Sequence, residues 1–228
     1  MEDKVYNYLW KMSLYINQNK LTLTDEKDSL SIMDQWVIEK CKMVINSYLK
    51  NIQDNDLDKA KKIIDNFFID DFYKVYKIIV DNKIKEDNDY ERCTNVLLNV
   101  YLEIMKMYTL YYPEIIKFIY SNLFFNSKNL LNNDNLKEYL FDNSVLSFGE
   151  DVKGIILDID KFRKDAKLLR KKAIDSVTLN IKKDDAKLFS KSLNDILKLI
   201  NAKSVNVEFG DETYVDLITN DNIYVQKR

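Results

Sequence analysis

Histidine is absent from this 228-residue chain, and glycine occurs three times, proline once and cysteine twice. Without histidine there can be no Ser-His or Cys-His nucleophile pair, no imidazole acid–base chemistry and no histidine-ligated metal. Two cysteines, Cys41 and Cys93, cannot build a framework of bridges. They fit a reducing compartment, each as a small buried apolar residue. So few helix breakers predict long, uninterrupted helices. No run of about 18 apolar residues exists, so no membrane-spanning helix is expected. The opening MEDKVYNYLWKMSLYI lacks the basic-then-apolar layout of a signal peptide, and the cytoplasm is the expected location.

What is present is a globular balance, 46% apolar and 32% charged, with a net charge of −2. That charge exerts no global pull on nucleic acid, so any such binding needs a local patch. Apolar residues recur at helical spacing in Val5, Leu9, Met12 and Ile16, and again from Met33 to Tyr48 in a helix predicted over 29–52. The clearest stripe runs through Ile63, Ile64, Phe67, Phe68, Phe72, Val75, Tyr76 and Ile79. A fourth helix starts near Tyr90 and must bend or stop near Pro113, because the residue before a proline avoids helical geometry. Stripes this wide bury against one another, which predicts a mainly α fold, an antiparallel helical bundle. Residues 126–143 are rich in Asn and Asp and read as a loop with one short helix. A fifth helix is expected over 150–172.

Beyond it the pattern changes. Val177, Leu179 and Ile181 alternate with polar residues, and Phe189, Leu193, Ile196 and Ile200 return to helical spacing. Residues 205–209, a turn at Gly210-Asp211 and residues 214–219 read as a β-hairpin, with a last strand over 223–226. The tail is therefore expected to be a small α+β (β-α-β-β) subdomain packed on the bundle. The boundary divides the chain into a bundle of residues 1–145 and a segment of residues 146–228 that starts with the basic fifth helix.

Four landmarks, in order, resemble the C-terminal part of valyl- and isoleucyl-type synthetases. Tyr8-Leu9-Trp10-Lys11 is similar to the family's "K-L-W-N" helix, and Asp34-Gln35-Trp36-Val37 to its "D-x-W-I". Phe67-Phe68, Phe72 and Tyr76 match "F-F-W-x-x-F-x-x-x-Y", and residues 159–165, I-D-K-F-R-K-D, resemble "I-R-x-h-R-x-E", where h is apolar. The likeness covers nearly the whole chain and implies the anticodon-binding domain of a class I aminoacyl-tRNA synthetase. Departures are visible too. Ile69 stands where the family has tryptophan, Asp160 replaces its first arginine, and only Pro113 remains of "P-F-x-P-x-x-T-E-E". The nucleotide-binding fold with its "H-I-G-H" signature cannot exist without histidine, so this chain alone is not expected to be an enzyme.

The strongest local feature is the run from Lys161 to Lys172. Lys161, Arg163, Lys164, Lys167, Arg170, Lys171 and Lys172 stand against Asp165 alone, so this stretch carries +6 and the remaining chain −8. Ile155, Ile159, Phe162, Ala166 and Leu169 mark its buried side, which leaves the cations to face phosphates. Lysine runs are more commonly plain solvated faces, and the family register brings the two readings level. Anticodon loops are also read by aromatic stacking. Tyr111 and Tyr112, beside Pro113, are the candidates for it, whereas Trp10 and Trp36 read as core anchors.

Asp54, Asp56 and Asp58 mimic a calcium loop, but Lys59 sits where glycine is required, and helix capping is the better reading. Asp158 and Asp160 continue a helical stripe, so they are not a phosphotransfer pair. No cofactor or metal is expected. The resemblance implies a tRNA partner, through its anticodon stem-loop, with a synthetase catalytic subunit or another protein as a further partner and no membrane. The alternative is a diverged synthetase paralogue that keeps the fold as a protein–protein scaffold or regulator.

Overall fold

The computed structural model describes residues 4–23, 30–86, 90–123, 136–168, 172–219 and 222–227. The chain is mainly helical, with a small sheet in its C-terminal part. It divides into two compact units: Met1–Leu30 with Asp34–Asp142, and Ser31–Met33 with Asn143–Arg228.

The first unit contains α1 (Lys4–Gln18), α2 (Ile32–Gln53, whose first residues fall to the second unit), α3 (Leu57–Asn66), α4 (Lys77–Glu86), α5 (Tyr90–Tyr108) and α6 (Pro113–Leu123). Between α3 and α4 the backbone stays helical but widens into a π-helix over Phe67–Tyr76. The stripe Ile64–Phe68–Phe72–Tyr76 repeats every four residues, longer than the 3.6 of an α-helix, and wider turns keep such a stripe on one side. All four side chains are fully buried. Phe68 and Phe72 meet Tyr101 of α5 at 6.1 and 6.2 Å between ring centroids. Three fully buried tyrosines of this core have their hydroxyls satisfied: Tyr101 donates to the Leu9 carbonyl, Tyr108 to Asp65 and Tyr76 to Asp34.

Pro113 occupies the first position of α6, where its missing N–H breaks no helical bond. Asp56 caps α3 by accepting from the Lys59 amide, the capping role expected of that acidic string. Cys41 and Cys93 are buried free thiols, and burial pushes the Cys41 thiol far above its usual range, which suppresses the reactive thiolate.

Scarce glycine shapes how helices end. Among the described residues, the four non-glycine positions with positive φ, Lys20, Asn55, Lys167 and Asn201, lie just beyond a helix. After α1, the Leu21 amide reaches the Ile16 carbonyl and the Lys20 amide that of Asn17, a Schellman closure with lysine where glycine is usual. A left-handed L-residue costs roughly 1–2 kcal/mol, which the greater entropy loss of glycine only partly offsets. Lys20→Gly is therefore expected to stabilise the first unit by about 0.5–1 kcal/mol, read as a higher urea midpoint. A lower midpoint would refute it.

The second unit contains α7 (Asn143–Asp165), β1 (Ile174–Lys182), α8 (Ala186–Ile200), β2 (Ala202–Gly210), β3 (Tyr214–Thr219) and β4 (Asn222–Lys227). Its sheet has the order β2-β1-β3-β4, with β1 parallel to β2 and antiparallel to β3. The expected hairpin of β2 with β3 does not form, because β1 lies between them. β1 buries Ile174, Val177, Leu179 and Ile181, and its position between β2 and β3 covers both of its edges. β2 shows mostly exposed and half-buried positions, as an edge strand does. The hairpin of this sheet is β3 with β4.

Candidate nucleic-acid interface

The basic run starts on α7 but does not stay helical. α7 starts at Asn143 and ends at Asp165, seven residues earlier at each end than expected. The cause is a Schellman closure: the Leu168 amide reaches the Arg163 carbonyl at 2.8 Å, the Lys167 amide reaches that of Lys164 at 3.1 Å, and Lys167 takes φ 51°. A lysine does here what a glycine does elsewhere, so composition held no sign of the stop.

Ile155, Ile159 and Phe162 are buried as expected, while Lys161 and Lys164, one turn apart, face solvent. Lys167 in the cap and Lys172 before β1 are exposed as well. Among the described residues, none of these four lysines is in an ion pair. Arg170, Lys171 and Leu169 lie outside the described residues.

Arg163 departs from the expectation of an outward cation. It is 5% exposed, and its guanidinium donates to the carbonyls of Lys172 at 2.7 Å, Ile200 at 2.9 Å and Asn201 at 3.1 Å. The last two are the C-terminal end of α8, where a cation also meets the negative pole of the helix dipole. One side chain thus ties the ends of α7 and α8 to the start of β1.

Tyr111 and Tyr112 belong to the first unit, in the turn between α5 and α6, and are half-buried. The Tyr111 hydroxyl donates to the Leu57 carbonyl at 2.8 Å. Burial raises its pKa; Lys61 opposes this and the carboxylates of Asp65 and Asp58 add to it. Tyr112 lies 5.7 Å from the Tyr108 ring and carries the Lys61 ammonium 5.3 Å from its centroid. Both tyrosines are thus engaged internally, in the company of carboxylates.

Many of the landmark residues that carried the family resemblance lie in the core. Asp34, Trp36, Phe68, Phe72 and Tyr76 are fully buried, and Asp34 lies 3.7 Å from the buried Lys83 ammonium. Lys11, Lys161, Lys164 and Asp165 are exposed. Trp10 departs from its expectation. Expected as a core anchor, it is 41% exposed.

Residues 34–179 match the family model described as the anticodon-binding domain of tRNA ligase. The chain belongs to that family. The matched stretch starts at the buried Asp34 and takes in the whole basic run. A probable cytoplasmic valine–tRNA ligase of Vairimorpha ceranae (strain BRL01) is 30% identical over 145 residues, 64% of this chain and 16% of that protein. The valine–tRNA ligase of Wolbachia pipientis wMel is 24% identical over 220 residues, 91% of this chain and 25% of the relative. That of Orientia tsutsugamushi (strain Boryong) is 24% identical over 97% of the chain and 29% of its own length. The chain therefore spans between a sixth and a third of the curated relatives it matches. No helix among the described residues of this anticodon-binding domain is long and apolar enough to cross a membrane.

Proposed function

We propose that the chain is a non-catalytic tRNA-binding module of the valyl-tRNA synthetase type, freestanding or one piece of a synthetase. In this reading the first unit is the antiparallel bundle of the domain. Lys161, Lys164, Lys167 and Lys172 hold the backbone of the anticodon stem-loop, joined by Arg170 and Lys171. The observation that carries it is the cluster of four exposed lysines outside any described ion pair, within a chain whose net charge is −2. Unpaired cations close in sequence attract a polyanion, and neutralising phosphates releases condensed counterions. Arg163 supports the site from below by holding the chain on which Lys164 and Lys172 stand. Tyr111 and Tyr112 are the weaker part of the proposal, since their hydroxyl or ring already has an internal partner.

The test is a mobility shift with an unfractionated tRNA pool across a salt series. With four phosphate contacts, affinity is expected to weaken about 50- to 150-fold between 50 and 200 mM salt. Each of Lys161→Ala, Lys164→Ala and Lys172→Ala should lower the slope of log affinity against log salt by about one. No shift at 50 mM salt, or slopes unchanged in all three variants, would overturn the reading. Recovery of a protein partner whose binding survives nuclease would then favour the scaffold.

A further inference from the structure

Among the described residues of the first unit, Trp10 on α1 and Phe118 on α6 form an exposed aromatic pair. The rings stack at 6.1 Å between centroids with 25° between their planes, yet Trp10 is 41% and Phe118 55% exposed. Tyr6 and Leu14, one turn to either side of Trp10, are exposed as well. Four large apolar side chains at one place on a surface are more than the isolated exposure common on any protein.

The surrounding charge says what this surface fits. α1 contains Lys4 and Lys11 and no carboxylate; α6 adds Lys117 and Glu114, and all four side chains are exposed. Among the described residues, none of the three lysines is in an ion pair. Lys11 lies 5.9 Å from the Tyr8 ring centroid, so cation and aromatic alternate across the helix. Aromatic faces rimmed by cations are complementary to single-stranded nucleic acid, whose bases stack while its phosphates meet the lysines. The Tyr111–Tyr112 turn, by contrast, has Asp58 and Asp65 nearby and its hydroxyls or rings in use.

We infer that Trp10 and Phe118 form a stacking platform for unpaired bases of an RNA strand, with Lys11 and Lys117 receiving the adjoining phosphates. This rests on the proposed tRNA binding only for the identity of the polymer, and it is a contact separate from the α7 lysines.

The chain has two tryptophans and Trp36 is fully buried, so Trp10 reports selectively on its own surface. The experiment titrates the whole chain with a single-stranded adenine heptanucleotide and follows tryptophan emission. The expected result is saturable quenching with full chain fold retained. Affinity for the heptamer should fall about tenfold or more in Phe118→Ala, read by the same quench, and in Trp10→Ala, read by fluorescence anisotropy of a labelled heptamer. Phe118 is a surface residue, so its replacement removes the platform with the core intact. Quenching that persists in Phe118→Ala overturns the inference. A tRNA shift with no heptamer quench also overturns it and leaves the lysine reading standing. Self-association lost in Trp10→Ala, without quenching, overturns it in favour of a second copy on this face.

Discussion

Asp34→Ala is expected to destabilise the helical unit by about 3–5 kcal/mol. Asp34 lies in the first turn of α2 and has no exposed surface. One of its oxygens accepts from the Tyr76 hydroxyl at 2.7 Å, and the other lies 3.7 Å from the Lys83 ammonium, itself 5% exposed. A charge pair so placed contributes little net stability compared with apolar residues of the same size, because desolvation opposes the attraction. Removing one member is different. The ammonium keeps its desolvation cost and loses the carboxylate facing it, and the Tyr76 hydroxyl loses its acceptor. Urea unfolding followed by Trp36 emission measures the effect. The double variant Asp34→Ala with Lys83→Met should recover a large part of the loss, since it removes the charge left behind. An Asp34→Ala protein within 1 kcal/mol of the parent would contradict the buried pair.

Arg163→Ala is expected to cost the second unit about 3–4 kcal/mol. The substitution removes three charge-assisted hydrogen bonds to carbonyls that close α8 and precede β1, and leaves those carbonyls facing a void. Arg163→Lys keeps the charge, but a single ammonium cannot span the carbonyls that a planar fork reaches, so it should rescue only part of the loss. Thermal unfolding reads the stability, and tRNA affinity separates the roles. Lys164→Ala should change the salt slope with stability within about 0.5 kcal/mol of the parent. Arg163→Ala should change stability first. Should Arg163→Ala unfold like the parent and alter only the salt slope, Arg163 would belong to the RNA surface after all.

These two residues show how much of the molecule was legible in its sequence. Asp34 and Arg163 both belong to motifs that resemble synthetase landmarks, and both turn out to hold the fold together. Motifs of this kind identify the family through its core, since buried charges tolerate little change. The helical stripes were legible because burying one side of a helix imposes a 3.6-residue repeat on nearby residues. The Asp56 cap, the break after α5 near Pro113 and the buried cysteines were legible for the same kind of reason, each being a local rule.

What failed to show was every feature set by a distant partner. Trp10 sits on the expected helix but looks outward, stacked on Phe118 of α6. The end of α7 carries no glycine, so Lys167 gave no warning of its left-handed turn. β3 pairs with β1 and β4 and not with β2, an order that the turn chemistry at Gly210 does not express. The amino-acid order by itself determined that the chain is mainly helical, which sides of most helices are apolar, that histidine chemistry is absent, and that seven cations fall within twelve residues. Only the tertiary structure decided which of those cations reach water and which one is drawn inside. Periodicity records the environment along one element, whereas a buried guanidinium is held by carbonyls about 37 positions away, and proximity of that kind exists only once the chain has folded.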